Sequence, residues 1–247
     1  MPAKKKSVRT KSSKQKTKQS SSLTADVKAA LNWLEENSSP KIREEMMPRY
    51  GINAKKAFGV SVSNIQKLAK ITGRNHAFAQ ALWDTGWYEA RMLAAFVDEP
   101  ERVTPRQMEA WCRDFDNWGI CDTVCFHLFD RSPHAYRKVE QWAKRKEEFV
   151  KRGGFALMAC LALHDKEADH DRFARWLPLM EQAASDERNF VKKSISWALR
   201  GVAGRHAELK VAVLEVAERL ARSTDPSARW VGKDVVRQLT RAKRGRA

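Results

Sequence analysis

The apolar residues of this chain keep a helical spacing from Leu23 to the end, and that spacing limits its fold more than any other feature. Leu23, Val27, Ala30, Leu31 and Leu34 make one stripe, and Val62, Ile65, Leu68 and Ala69 a second. Val211, Leu214, Ala217 and Leu220, with Glu218 as a polar break, make a third. Period-2 alternation of the kind a strand needs is missing, so the fold class expected is all-α. Ser39-Pro40, Thr104-Pro105 and Ser132-Pro133 each offer an N-cap hydroxyl followed by proline at the first helical position. Gly73 and Gly86 sit where C-caps belong. Pro178, within a helical pattern running from Phe173 to Ala184, should kink that helix or divide it. Roughly a dozen helices joined by short loops, and therefore antiparallel to their neighbours, are expected.

A degenerate internal repeat runs through these helices. EARMLAAFV, DNWGICDTV, VKRGGFALMACLA, VKKSISWALRGVA and ARWVGKDVVRQL each place a polar or basic residue at the start of an apolar helix. With Arg91, Trp118, Arg152, Lys193 and Arg229 as equivalent points, the spacings are 27, 34, 41 and 36 residues. This range suits helical-hairpin repeats of the HEAT or armadillo kind, stacked as a right-handed α-solenoid with a concave groove. The irregular spacing leaves a non-repetitive helical bundle open. In a solenoid Arg91, Arg152, Lys193 and Arg229 would form a basic track with Trp118 among them, a surface suited to a duplex backbone. Taken singly, each could also be a solvated helix start.

Charge points the same way. The formal net charge is +17, and eight of those positives (Lys4, Lys5, Lys6, Arg9, Lys11, Lys14, Lys16 and Lys18) fall in residues 1–22, which hold no acid. Nine remain for the rest, so the body of the chain is basic as well, and a polyanionic partner is expected. Residues 1–22 bury almost nothing apolar and read as a disordered basic tail, residues 23–240 as one repeat domain, and residues 241–247 as a basic C-terminal end. No apolar run suits a secretory leader or a membrane span, so a cytoplasmic protein without a membrane partner is expected, and a single groove needs only a monomer.

The candidate chemistry lies in DFDNWGICDTVC, Asp114 to Cys125, where Trp118 and Asp122 are four residues apart and share one helix face. Trp197, in VKKSISWALR between Ser196 and Arg200, is a second tryptophan among polar neighbours. Trp33, Trp83, Trp111 and Trp142 fit apolar stripes instead. Two indole faces attract a cation, worth about 0.5–2 kcal/mol each, and a carboxylate beside them adds a full negative charge. Cys121 and Cys125 share a helical face that His127 does not, and no fourth ligand is spaced for zinc. HDKEADHD, His164 to Asp171, reads as an acidic loop that charges the next helix start. Cys112, Cys121, Cys125 and Cys160 read as reduced packing residues. No metal and no cofactor are expected, and no GxxxxGKS or GxSxG motif is present.

MMPRYGINAKKAFGVSVSNIQKLAK, DNWGICDTVC, EEFVKRGGFALMA and DERNFVKKSISWALR resemble the DNA alkylation repair glycosylases of the AlkD type, built from HEAT-like repeats, over about Met46 to Leu239. The resemblance implies hydrolysis of the N-glycosidic bond of N3- and N7-alkylated purines in double-stranded DNA, without a metal and without extruding the base. By position it matches the catalytic aspartate to Asp122, the two stacking tryptophans to Trp118 and Trp197, and an arginine touching the DNA backbone to Arg152, with Lys151 adjacent. Lys193, Arg200, Arg91 and Arg229 complete the expected DNA-binding set. Gly153-Gly154 after the arginine departs from the family's best-known members, as does the basic tail.

The chemistry also stands on the residues alone. An alkylated purine is already cationic and leaves without a general acid, so a single carboxylate can stabilise the oxocarbenium-like sugar and orient water. Ordinary glycoside hydrolysis usually needs two carboxylates. A non-catalytic repeat scaffold that binds nucleic acid or protein is the competing reading.

Overall fold

The computed structural model describes the chain from Ser7 to Arg241, with side chains from Ser21 onward. It divides into two compact units, residues 1–99 and 100–247. The described residues form helices joined by loops, without strands, as the apolar periodicity requires.

The first unit holds α1 (Ser7–Glu36), α2 (Pro40–Tyr50), α3 (Val62–Thr72), α4 (His76–Asp84) and α5 (Tyr88–Val97). The boundary expected after residue 22 falls inside α1, which reaches back to Ser7; elongating a helix costs far less than nucleating one. Residues 1–6 of the tail and 242–247 of the C-terminal end lie outside the described residues. Ser39 caps α2 by accepting from the Ile42 amide, as its Ser-Pro signature indicates. Between α2 and α3 the chain has no regular secondary structure and is held by Glu89 of α5, a fully buried carboxylate. Glu89 accepts from the backbone N–H groups of Phe58 (3.0 Å), Gly59 (2.7 Å) and Val60 (3.2 Å). Gly59 has φ +83°, and a Cβ there would lie 2.4 Å from the Ser39 carbonyl oxygen, so only glycine fits. Phe58 stacks on Trp87 with centroids 4.0 Å apart.

The second unit holds α6 (Pro105–Arg113), α7 (Trp118–His127), α8 (Ala135–Trp142), α9 (Glu148–His164), α10 (His170–Ala174), α11 (Leu177–Ala183), α12 (Asn189–Ala203), α13 (Ala207–Ala221) and α14 (Pro226–Thr240). One layer consists of α7, α9, α12 and α14, each packed on the next. A second layer pairs α8 with α9, α11 with α12 and α13 with α14. The equivalent points read from the sequence, Trp118, Arg152, Lys193 and Arg229, all fall in the opening turns of first-layer helices, so the repeat corresponds to helical hairpins. Phe155, Leu157, Ile195, Leu199, Val213 and Val231 are buried in the core of this unit.

Two expectations shift. The Ser132-Pro133 signature does not start α8, which begins at Ala135; Ser132 is buried, points to the Met108 sulfur (3.8 Å) and accepts from the His134 amide (3.3 Å). The buried stripe of α13 is Leu209, Val213, Val216, Ala217 and Leu220, while Val211 is 59% exposed. That helix is apolar on two faces, and contact with α14 and α12 selects one. Pro178 divides its helix, one of the two outcomes expected of it, and stands in the first turn of α11 after α10 has ended. Gly153 and Gly154 leave α9 unbroken. A Cβ at Gly154 would sit 2.4 Å from the Ala143 backbone nitrogen, so this glycine lets α9 close on the end of α8.

Candidate active site

The site is built on the first turns of α7, α9 and α12. Asn117 caps α7 by accepting from the Ile120 amide (3.0 Å), and its own side-chain amide donates to Asp116 (2.7 Å). Trp118 is therefore fixed as the first helical residue, and Asp122 follows one turn later. Both are partly exposed, whereas Gly119, Ile120, Cys121, Val124 and Cys125 are buried. The open face of α7 thus carries Trp118, Asp122 and Phe126 in register. On the closed face the Cys121 and Cys125 thiols donate to the Phe149 and Gly153 carbonyls of α9, both at 3.6 Å, which makes them packing contacts between α7 and α9.

Asp122 is not alone. Arg152 of α9 donates to both its oxygens, Nε to Oδ1 at 2.9 Å and Nη2 to Oδ2 at 2.6 Å, a bidentate pair. The remaining fork nitrogen, Nη1, donates to the Phe190 carbonyl in the first turn of α12 at 2.5 Å. One guanidinium therefore joins α7, α9 and α12. The arginine side chain is 7% exposed and the aspartate 20%, so the carboxylate is the member of the pair that solvent reaches. Burial pushes the Asp122 carboxyl above its ordinary value, and the Arg152 charge and hydrogen bonds oppose that shift. A carboxylate has about four lone-pair positions; the pair uses one on each oxygen and leaves the outer ones for another group.

Trp197 lies seven residues after Phe190 on α12, two turns on and about 10 Å along the axis. On that helix Lys193, Trp197 and Arg200 are partly or fully exposed, between buried Val191, Ser194, Ile195, Ser196, Ala198 and Leu199. The three thus share the open face of α12, and Ser196 behind them donates to Asp234 of α14 (2.7 Å).

The expected basic set separates into different roles. Lys151 forms an ion pair with Asp186 (2.8 Å). Arg188 grips the same carboxylate through Nε (2.8 Å) and Nη2 (2.5 Å) and donates to the Lys146 carbonyl (2.6 Å). These bonds, led by the one from Arg188, hold the Asp186 carboxyl well below the usual range. Arg200 reaches back to the Ser196 carbonyl (3.2 Å). Arg229 donates to the Ser223 and Thr224 carbonyls at the start of α14 (2.8 and 3.0 Å). Arg91 belongs to the first unit, where its guanidinium lies 5.0 Å from the Trp83 ring centroid. Lys193 is exposed.

Sequence reasoning missed Asp186 and Arg188, which tie the openings of α9 and α12 together, and Lys192, whose ammonium stands 5.4 Å from the ring centroid of Trp230 on α14. Trp230 is 37% exposed, and the only hint in the sequence was its place beside Arg229. HDKEADHD is spent on structure. His164 pairs with Asp130, Asp165 accepts from the Tyr136 hydroxyl (2.6 Å), and Asp169 caps α10.

A family model described as "DNA alkylation repair enzyme" matches residues 30–229 of this chain. Among solved structures the chain is similar to one from "a new family of proteins related to the HEAT-like repeat DNA glycosylases with affinity for branched DNA structures". That likeness has a TM-score of 0.71 and 17% identity, over 85% of this chain and 94% of that one, and shows a shared fold. A designed armadillo repeat protein gives a TM-score of 0.31 and 14% identity over 72% of this chain and 92% of that one. No curated protein gives a significant match.

Proposed function

The chain belongs to the DNA alkylation repair enzymes, whose family model spans residues 30–229, and from that premise we propose that it is a DNA glycosylase acting on N3- and N7-alkylated purines in duplex DNA. The observation that carries the reading is Asp122, a partly exposed carboxylate clamped by Arg152 one turn below Trp118. A carboxylate held by two hydrogen bonds cannot swing away as charge develops, so its stabilisation of an oxocarbenium-like sugar costs little reorganisation. Its outer lone pairs accept from the attacking water. The alkylated base carries its own positive charge and leaves unprotonated, which explains how one aspartate suffices.

In this reading Trp118 and Trp197 face the deoxyribose of the damaged nucleotide and favour a cationic base over a neutral one. Water attacks the sugar carbon and the glycosidic bond breaks with the base still in the helix stack, without the enclosing pocket that a flipped base needs. Lys193 and Arg200 flank Trp197 and meet the phosphates, with Arg229 following on α14, as one side of a basic groove. Arg152 acts on the DNA through Asp122, as a positioning residue, because its fork nitrogens already serve Asp122 and Phe190.

The test is single-turnover excision from a duplex carrying one 7-methylguanine. Asp122→Asn should slow release by about 10²–10³-fold, the size of a lost electrostatic stabiliser, while duplex affinity stays within a few-fold. The acid limb of the wild-type pH profile should lie above the ordinary aspartate value of about 3.9, since burial raises this carboxyl. Undiminished excision by the variant would falsify the assignment.

A second reading is a DNA-binding repeat protein without excision activity. It is favoured by the ion pair itself, which spends part of the Asp122 charge on Arg152. The solved relative described by affinity for branched DNA points the same way. Tight binding of junctions with no base released from methylated duplexes would select it.

A further inference from the structure

The second layer of helices holds a cavity of about 590 Å³ between α8, α10 and α11 that shares no residue with the Asp122 site. Its charged lining is four cations, Arg137, Lys144, Arg172 and Arg175, against the single carboxylate of Glu140. All four cations are exposed, and Arg137, Lys144 and Arg175 make no ion pair among the described residues.

Arg172 is held in advance. Its guanidinium lies 4.0 Å from the ring centroid of Tyr136, the Tyr136 hydroxyl donates to Asp165 at 2.6 Å, and the Trp176 ring stacks with that of Tyr136 at 5.8 Å. A long cationic side chain pinned on an aromatic face has already lost the rotamer freedom that binding would otherwise remove. Arg137 of α8 and Lys144, just past the end of that helix, stand on the same side of the cavity. Cavities that enclose small molecules are lined mainly by apolar groups. Here Tyr136 is in contact with both Trp176 and Arg172, and five of the ten lining residues are charged.

We propose that this cavity is a second phosphodiester site, taking a DNA segment other than the one presented to Asp122. The chemistry it recognises is phosphate, and a backbone is the source that fits an open row of cations on a chain of formal charge +17. A backbone laid along α7, α9 and α12 leaves the second-layer cavity free, so one protein molecule can hold two segments. The proposal rests on the DNA-binding part of the functional reading and is independent of excision.

The experiment uses the full chain with two duplexes, one tethered to beads and one fluorescent. Wild-type protein should retain the fluorescent duplex on the beads. The triple variant Arg137→Ala, Lys144→Ala and Arg175→Ala should lose that bridging by about tenfold or more at moderate salt, with excision from a single methylated duplex unchanged. These side chains are exposed, so a matching thermal melt is expected and checks the fold. Failure of the wild type to bridge, or equal bridging by the variant, overturns the proposal. Saturation by a mononucleotide or inorganic phosphate, lost in the variant and unaccompanied by bridging, overturns DNA as the source. If wild type bridges, the variant does not, and neither excises a base, the glycosylase reading fails and the cavity assignment stands.

Discussion

At the scale of single residues the site was half legible. Trp118 and Asp122 could be paired from the sequence because a four-residue spacing on a helix is a geometric statement. The pairing of Asp122 with Arg152 could not, because it joins residues 30 apart on different helices. Resemblance alone gave Arg152 to the DNA backbone, whereas the structure turns its fork inward. Removing that fork leaves the Asp122 carboxylate and the Phe190 carbonyl without their donor. Arg152→Ala should cost about 3 kcal/mol in urea unfolding, and Arg152→Met combined with Asp122→Asn should recover part of it. A double variant no more stable than Arg152→Ala would show that the ion pair is not what holds α7 to α12. Asp186 offers a second test. Its folded-state carboxyl is depressed by Arg188 and Lys151, so the stability it lends is present above the unfolded value near 3.9 and is lost as pH falls through the folded value. Wild-type stability should therefore decline below about pH 4. Asp186→Asn should be less stable at neutral pH and show a shallower acid decline.

At the scale of elements, helix existence was readable and helix faces less so. Ser39 and Thr104 cap helices as their Ser-Pro and Thr-Pro signatures indicate, since a cap is local chemistry. Ser132 carries the same signature and is taken instead by a buried contact with Met108, a tertiary demand that no local rule contains. The α13 stripe slipped for a similar reason, because two apolar faces compete and only the neighbouring helices decide between them. The irregular segment before α3 shows the reverse dependence, in which one side chain replaces a missing helix. Three backbone donors converge on Glu89, so Glu89→Ala should destabilise the first unit by at least about 3 kcal/mol. Hydrogen exchange at Phe58, Gly59 and Val60 should accelerate more than exchange in α12, and uniform acceleration would argue against a local clamp.

Over the whole molecule, composition and periodicity carried the fold class and the polyanionic partner, because both are sums over many residues. The separation into two units was not readable, since no glycine- or proline-rich linker marks residues 99 and 100. The charge sum also assigns a task to the first 22 residues, which hold eight of the seventeen net positives. Their deletion should weaken duplex binding and lower the slope of log affinity against log salt by several units, about 0.9 for each phosphate they neutralise. Single-turnover excision should be preserved, and an unchanged slope would remove these residues from DNA binding.

The four cysteines are all buried, and burial pushes the thiols of Cys112, Cys125 and Cys160 upward, away from the thiolate form. The thiolate, not the thiol, is the form of cysteine that attacks electrophiles. Alkylating agents are electrophiles, and in this member of a DNA alkylation repair family those three thiols are buried and shifted away from the reactive form. The contact through which Cys125 seats α7 against α9 thereby also withdraws a nucleophile from such agents.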